Sequence, residues 1–182
     1  MPALFKGVVE IIIYGRGGQG AKTAGELIAE AALIEGKFAQ AFPEYGPERR
    51  GAPTRAFVRI YDRELRSHEP ILDPDYIIVL DKSLTELIEN KGAKAIINAK
   101  EAKNEFGETY LVDASAISYE VLGKNVPNTV LAGAFARVSQ AVRVDSVLKV
   151  KEEVFAKKYG KGPVAEKNLE LVRRGFDGVK KI

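Results

Sequence analysis

The sequence predicts an α/β protein in which helices and a mostly parallel sheet form three layers, α/β/α, over one domain of residues 1–182. Three observations lead there. Short β-branched runs alternate with helical patterns along the chain. The first run, Val8 to Tyr14, is apolar on both faces apart from Glu10, as in a buried parallel strand. A glycine cluster then joins that run to a helix without a spacer.

The elements come in order. After the strand at 8–14 comes Gly15-Arg-Gly-Gly-Gln-Gly20, then a helix with the apolar stripe Ala24, Leu27, Ile28, Ala31 and Ile34, stopped by Gly36. Phe38 to Phe42 is the second strand. The segment Pro43-Glu-Tyr-Gly-Pro-Glu-Arg-Arg-Gly-Ala-Pro53 holds three prolines and two glycines, so a loop is expected. Thr54 to Tyr61 alternates, with Ala56, Val58 and Ile60 set against Arg55, Phe57, Arg59 and Tyr61. That pattern predicts a half-exposed strand towards a sheet edge. Tyr76 to Leu80, Ala95 to Asn98 and Tyr110 to Val112 are further short strands, each followed by sequence that suits a helix. Asn128 or Thr129 is expected to cap a helix carrying Leu131, Ala134, Phe135, Val138 and Val142. Asp145 is expected to cap the next, with Val147, Leu148, Val154 and Phe155. A last helix is expected from about Val164 to Arg174, ahead of a frayed tail.

Composition narrows the functions available. The chain has 182 residues, 46% of them hydrophobic, which excludes a disordered protein and leaves no room for a cofactor domain beside a full catalytic domain. There is no cysteine, so the chain supplies neither iron–sulfur ligands nor a disulfide, a thiolate zinc site or a cysteine nucleophile. His68 is the one histidine, and no metal site is expected. The net charge of +3 is mild, and no nucleic-acid binding is expected without a concentrated patch. Residues 145–182 carry 10 basic and 6 acidic side chains, read as a solvated helix face or, second, as contact with an acidic partner subunit. The start lacks the pattern of a signal peptide, and no apolar stretch approaches the ~20 residues that span a bilayer. The expected address is the cytoplasm, with no membrane attachment.

A parallel α/β sheet holds its ligands at the carboxyl ends of its strands, where the loop at 15–20 lies. The helix start just beyond it offers unpaired N–H groups and a positive dipole end, both suited to an anion. Gly15, Gly17 and Gly20 fit the GxGxxG spacing of a dinucleotide fold. The ribose-binding acid should then end the second strand, yet Glu44 falls inside the proline loop, which disfavours NAD. Gly15 to Thr23 also approaches the phosphate loop GxxxxGK(S/T), with Ile77-Ile-Val-Leu-Asp81 resembling the strand of a magnesium-binding acid. Ala21, however, separates Gly20 from Lys22, and one inserted residue turns a helix by about 100° and moves the lysine off the phosphate side, which disfavours a triphosphatase. A third reading leaves the glycines as a tight turn only.

Arg49 and Arg50, on the proline loop, can meet an anion held by the glycine loop through forked bonds, or can be a solvated or interface pair. Asp81 and Asp113 end strands, and each is expected to cap the helix after it. Ser115 and Ser118 have no base nearby in sequence, and His68 reads as an inert surface residue. No residue is assigned a catalytic role.

Together, Tyr14-Gly-Arg-Gly-Gly-Gln-Gly-Ala-Lys-Thr23 and Gln40-Ala-Phe-Pro-Glu-Tyr-Gly-Pro-Glu-Arg-Arg-Gly-Ala-Pro53 resemble the gamma subunit of 2-oxoacid:ferredoxin oxidoreductases, most of all the four-subunit pyruvate enzymes. The resemblance extends over nearly the whole chain, including Asn128-Thr-Val-Leu-Ala-Gly-Ala-Phe135, and the second loop is its more specific part. It implies a Rossmann-like domain in a complex that converts pyruvate and coenzyme A to acetyl-CoA and carbon dioxide and reduces ferredoxin. It further implies alpha, beta and delta partner subunits that hold thiamine diphosphate, magnesium and iron–sulfur clusters. This chain then binds no cofactor alone but covers the active-site region and helps to handle coenzyme A as cosubstrate. The residues carried over are Gly15, Arg16, Gly17, Gly18, Gln19 and Gly20, with Glu44, Tyr45, Arg49, Arg50 and Gly51 as a second wall or an interface. Use of 2-oxoisovalerate, 2-oxoglutarate or an aryl pyruvate is the alternative within the family. A stand-alone nucleotide-binding module is the alternative outside it.

Overall fold

A strand that is apolar on both faces needs cover on both, and β1 (Val8–Arg16) receives it from a central place in the sheet. The computed structural model describes residues 7–44, 49–64 and 67–182. After β1 come α1 (Ala21–Ile34), β2 (Phe38–Pro43), β3 (Pro53–Tyr61), β4 (Tyr76–Val79) and a 3-10 turn (Lys82–Leu87). Next are β5 (Lys94–Asn98), β6 (Glu108–Val112), α2 (Ala114–Leu122), α3 (Pro127–Ser139), α4 (Val144–Tyr159), α5 (Pro163–Gly178) and β7 (Lys180–Lys181).

The seven strands form one sheet in the order β2-β3-β1-β4-β5-β6-β7. β1, β4, β5 and β6 pair in parallel. β3 lies antiparallel between β1 and β2, and β7 lies antiparallel to β6. Five of the seven strands therefore point one way, which bears out the mostly parallel sheet.

Register assigns the faces. Ile11, Ile13, Val58, Ile60, Ile78 and Ile96 line one face and pack against α1 and α3, with α4 and α5 behind them in the same core. Tyr76 reaches α3 through an edge-on contact with Phe135, ring centroids 5.5 Å apart. Ile12, Phe57, Ile77, Val79 and Ile97 line the other face, under a thinner layer made of the 3-10 turn and the connections around Ile71 and Phe106. α3 is buried along its whole first part, Pro127 to Ala136. It sits so close to α5 that a Cβ at Gly133 would collide with the Val172 carbonyl, and one at Gly175 with the Val130 carbonyl.

Several expectations need correction. β3 is an interior strand buried from Ala56 to Tyr61, not a half-exposed one. Its Arg59 is buried because Glu10, the residue opposite on β1, accepts from Nε at 2.6 Å while the Ser67 and Glu69 carbonyls accept from Nη1. No helix comes after β5, and β4 is followed only by the 3-10 turn. Asn128 and Thr129 do not cap α3, since Val126 precedes it and Pro127 opens it, and Asp145 lies inside α4 behind Arg143. Ile34 is exposed at the end of α1. The last helix runs on to Gly178, and the tail pairs with β6. Both expected strand-end caps are present: Asp81 accepts from the Ser83 N–H and Asp113 from the Ala116 N–H, each at 3.0 Å.

Lys151 of α4 is 8% exposed and donates to Thr129 Oγ1 at 2.9 Å, with the Phe155 ring 5.0 Å away. Burial pushes its ammonium down to about 8 from 10.5. Below that value the folded chain carries a poorly solvated charge. Between it and 10.5 the unfolded chain binds the extra proton, so stability rises with pH across this window. Lys151→Met is expected to remove that rise and to be more stable near neutrality, by up to about 3 kcal/mol. Denaturant titrations of both chains at several pH values check this. Gly133→Ala, by forcing α3 from α5, is expected to cost about 1–3 kcal/mol in the same assay.

Candidate functional site

The chain leaves β1 at the point where its two neighbours, β3 and β4, lie on opposite sides, and this is where open α/β sheets place ligands. Gly20 precedes α1 with φ 85° and ψ 33°, a left-handed conformation, and packs against Asn128 of α3. A Cβ there would lie 2.6 Å from Asn128 Nδ2. The first bond onto the helix is Ala24 N–H to the Gly20 carbonyl at 3.0 Å. The preceding amides of Ala21, Lys22 and Thr23 are thus free of intrahelical partners, and no acidic residue sits in the first turn.

The second loop docks on the first through backbone. Gly17 N–H donates to the Ala52 carbonyl at 2.9 Å and Gly51 N–H donates to the Gly17 carbonyl at 3.1 Å. Gly17 also lies against the Arg49 carbonyl, leaving no room for a Cβ. Arg16 reinforces the junction: its Nε donates to Asp81 Oδ2 at 3.1 Å, one Nη to the Gly51 carbonyl at 3.1 Å and the other to Ser83 Oγ at 2.8 Å. Gln19 accepts from the Arg16 N–H at 2.7 Å and donates to Asp81 Oδ2 at 3.3 Å. Burial alone would raise the Asp81 carboxyl, but the Ser83, Gln19 and Arg16 donors together hold it below the usual carboxylate range.

Between the loops opens a cavity of about 800 Å³. Its described charged walls are Arg16, Lys22, Arg49, Arg50 and Arg55 against the single acid Glu44. Glu44 forms a forked pair with Arg55, and this carboxylate holds the guanidinium proton more firmly than usual. Lys22 is exposed and, among the described residues, pairs with Glu26 at 3.6 Å. Arg49 and Arg50 are exposed, and among the described residues their side chains have no hydrogen-bond or ion-pair partner. The site is therefore cationic, wide and open, with three side-chain cations and a helix start free to meet an anion. Among the described residues no group of three or more metal-ligating side chains is assembled.

Of the residues singled out in the sequence, Arg16, Gly17, Gly18, Gly20, Glu44, Arg49 and Arg50 line this cavity. Gly15 and Gln19 do not line it, and Gly51 is at the loop junction. Tyr45 lies outside the described residues. Arg16, read as an anion ligand, has its guanidinium engaged by three protein groups. Lys22, Arg55 and Asp81 are the site residues that sequence reasoning did not assign; Lys22, expected to be turned off the phosphate side by the inserted Ala21, lines the cavity. Asp81 follows β4 by two residues, and the adjacency of β4 to β1 brings it to Arg16.

Fold and site together define an α/β domain with a cationic cleft at the end of its central strand. The chain belongs to the pyruvate ferredoxin/flavodoxin oxidoreductase family, whose model matches residues 10–178. It is 39% identical over 181 residues to pyruvate synthase subunit PorC of Methanothermobacter thermautotrophicus, covering 96% of this chain and 98% of that protein. It is also 39% identical over 183 residues to the pyruvate/ketoisovalerate oxidoreductases common subunit gamma of Thermococcus litoralis, covering 93% and 96% of the two chains. The crystal structure of pyruvate oxidoreductase subunit PORC from Thermotoga maritima superposes with a TM-score of 0.83 at 35% identity, covering 97% of this chain and 99% of that one. These matches make the chain a gamma-type subunit of a 2-oxoacid:ferredoxin oxidoreductase complex.

Gly20→Ala puts an L side chain in the left-handed region, a cost of about 1–2 kcal/mol, and adds the contact with Asn128. The expected result is a thermal midpoint about 3–6 °C lower. Asn128→Ala in the same chain is expected to recover the steric part, which thermal scans of the single and double variants measure.

Proposed function

We propose that this subunit holds coenzyme A by its phosphates in the cleft between the 15–20 and 43–53 loops, so that the thiol arm reaches a reaction centre on another subunit. The observation that supports this most directly is the trio of Lys22, Arg49 and Arg50 beside the free amides at the start of α1. The nucleotide end of coenzyme A carries several phosphate charges. Guanidinium forks and helix-terminal N–H groups suit them.

The complex then converts pyruvate and coenzyme A to acetyl-CoA and carbon dioxide, passing the electrons to ferredoxin. Thiamine diphosphate, magnesium and iron–sulfur clusters belong to the alpha, beta and delta partners, since this chain has no cysteine to ligate a cluster. Its own contribution is positioning. A cosubstrate held beside a reactive intermediate avoids the entropic cost of a bimolecular encounter. The whole of residues 1–182 serves as one cytoplasmic domain in this reading.

The substrate acid has a second candidate. One relative is named as the common gamma subunit of pyruvate and ketoisovalerate enzymes, which favours a gamma chain indifferent to the acid. Choice between pyruvate and 2-oxoisovalerate then rests with the other subunits, and rates of the assembled complex on each acid decide it.

Arg49→Ala or Arg50→Ala in the complex is expected to raise the KM for coenzyme A about ten-fold, the loss of one charge-assisted contact. Decarboxylation with an artificial acceptor should change less. If both variants leave coenzyme A kinetics as they were, the arginines serve structure or assembly instead.

A further inference from the structure

Asp81 does more than end a strand. Its Oδ1 accepts from the Ser83 N–H at 3.0 Å and from the Ser83 hydroxyl at 2.7 Å, which completes its duty as a cap. Its Oδ2 is turned the other way, to Arg16 Nε at 3.1 Å and Gln19 Nε2 at 3.3 Å. Arg16 in turn holds the Gly51 carbonyl at 3.1 Å, and Gly51 comes directly after Arg49 and Arg50. One carboxylate just beyond β4 is thereby linked to the glycine loop and, through a guanidinium, to the arginine loop.

We propose that Asp81 and Arg16 form a latch that positions Arg49 and Arg50 over the cleft, Arg16 serving as a strut between the loops. Three features carry this. Each nitrogen of the Arg16 guanidinium has a protein acceptor, one on each side of the loop junction, and only the second hydrogen of each Nη is left over. The side chains of Arg49 and Arg50 have no partner among the described residues, so the backbone at 49–52 sets where their charges stand. That backbone is anchored at Gly17, the neighbour of Arg16 in sequence, and at Gly51, whose carbonyl Arg16 holds. The Ser83, Gln19 and Arg16 donors keep Asp81 ionised, as a latch partner for a guanidinium must be. Asp81 and Arg16 are thus positioning residues that act through the second loop.

The kinetic half of this inference rests on the coenzyme A reading, and the structural half does not. In the assembled complex, Asp81→Asn keeps the shape of the side chain and removes the charge that holds Arg16. The KM for coenzyme A is expected to rise about ten-fold, with kcat altered far less. Amide hydrogen exchange at Gly17 and Gly51 should accelerate while that of Ile77–Val79 in β4 stays as it was, a pattern that general destabilisation would not give. Because Asp81 acts through the arginine loop, its effect on KM should not multiply with that of Arg49→Ala. The double variant is expected within about two-fold of the poorer single one.

Arg16→Lys keeps the charge but loses the fork, and should reproduce the Asp81→Asn pattern, which provides a route should Asp81→Asn fail to assemble. Unchanged exchange at Gly17 and Gly51 in these variants overturns the latch, as do fully multiplicative effects on KM. If Arg49→Ala and Arg50→Ala leave the KM alone, the coenzyme A reading falls. Exchange then judges the latch: acceleration supports it and no change overturns it.

Discussion

The two-sided burial of β1 is the constraint on which the rest of this structure depends. Ile11 and Ile13 meet the helices while Ile12 meets the Phe42, Phe57 and Ile71 cluster, so the strand cannot lie at an edge. A strand fixed between β3 and β4 delivers its carboxyl end to a point where the chain must turn outward with neighbours on either side. The glycines at 15–20 lie at that turn, and the ligand cleft is the space the diverging connections leave. The tight crossing of α3 and α5 has the same origin. α3 covers the parallel strands but is itself too apolar to face water, so α5 closes over it with glycine at both points of contact.

Much of this was legible in the chain because it is local. The strand runs at 8–14, 38–42 and 76–80, the glycine stop at 36, and the side-chain caps at Asp81 and Asp113 each depend on residues within a few positions. What was not legible depends on strand order. β3 reads as half-exposed because Arg55 and Arg59 alternate with apolar residues, yet each arginine is paired with a glutamate, Arg55 with Glu44 and Arg59 with Glu10. A charged residue signals solvent only while it lacks a partner, and the partner of Arg59 is set by the register of β1 on β3. The same limit hid the second role of Asp81, since nothing near it in sequence suggests Arg16.

The arginines divide between two duties that composition cannot separate. Arg16 and Arg55 are engaged by carboxylates and hold loops together. Arg49 and Arg50 are exposed and carry the charge that gives the cleft its sign. A motif reading treats Arg16 as a ligand residue because it lies inside the glycine loop. The geometry shows that a cation in such a loop can also be held at every nitrogen by its scaffold. The residues that remain free are those on the loop with less regular structure, where long side chains can adapt to a ligand.

The missing cysteines acquire a physical meaning in this setting. A cleft built to draw in a polyanion needs uncompensated positive charge and exposure to solvent. An electron-transfer centre of low potential is held by buried thiolates under tight control of local charge. The two demands conflict within a chain of 182 residues whose cationic cleft sits at the end of its central strand. In the coenzyme A reading proposed above, placing them on separate subunits lets each surface be optimised alone, at the cost of an interface that must align the cosubstrate with a centre elsewhere. Rigid anchoring of the cleft then matters more than it would in a self-contained enzyme, because an error in loop position is carried across the subunit boundary to the reacting atoms. An ion pair between a strand end and a glycine loop, backed by two backbone bonds, provides that rigidity where it is most needed.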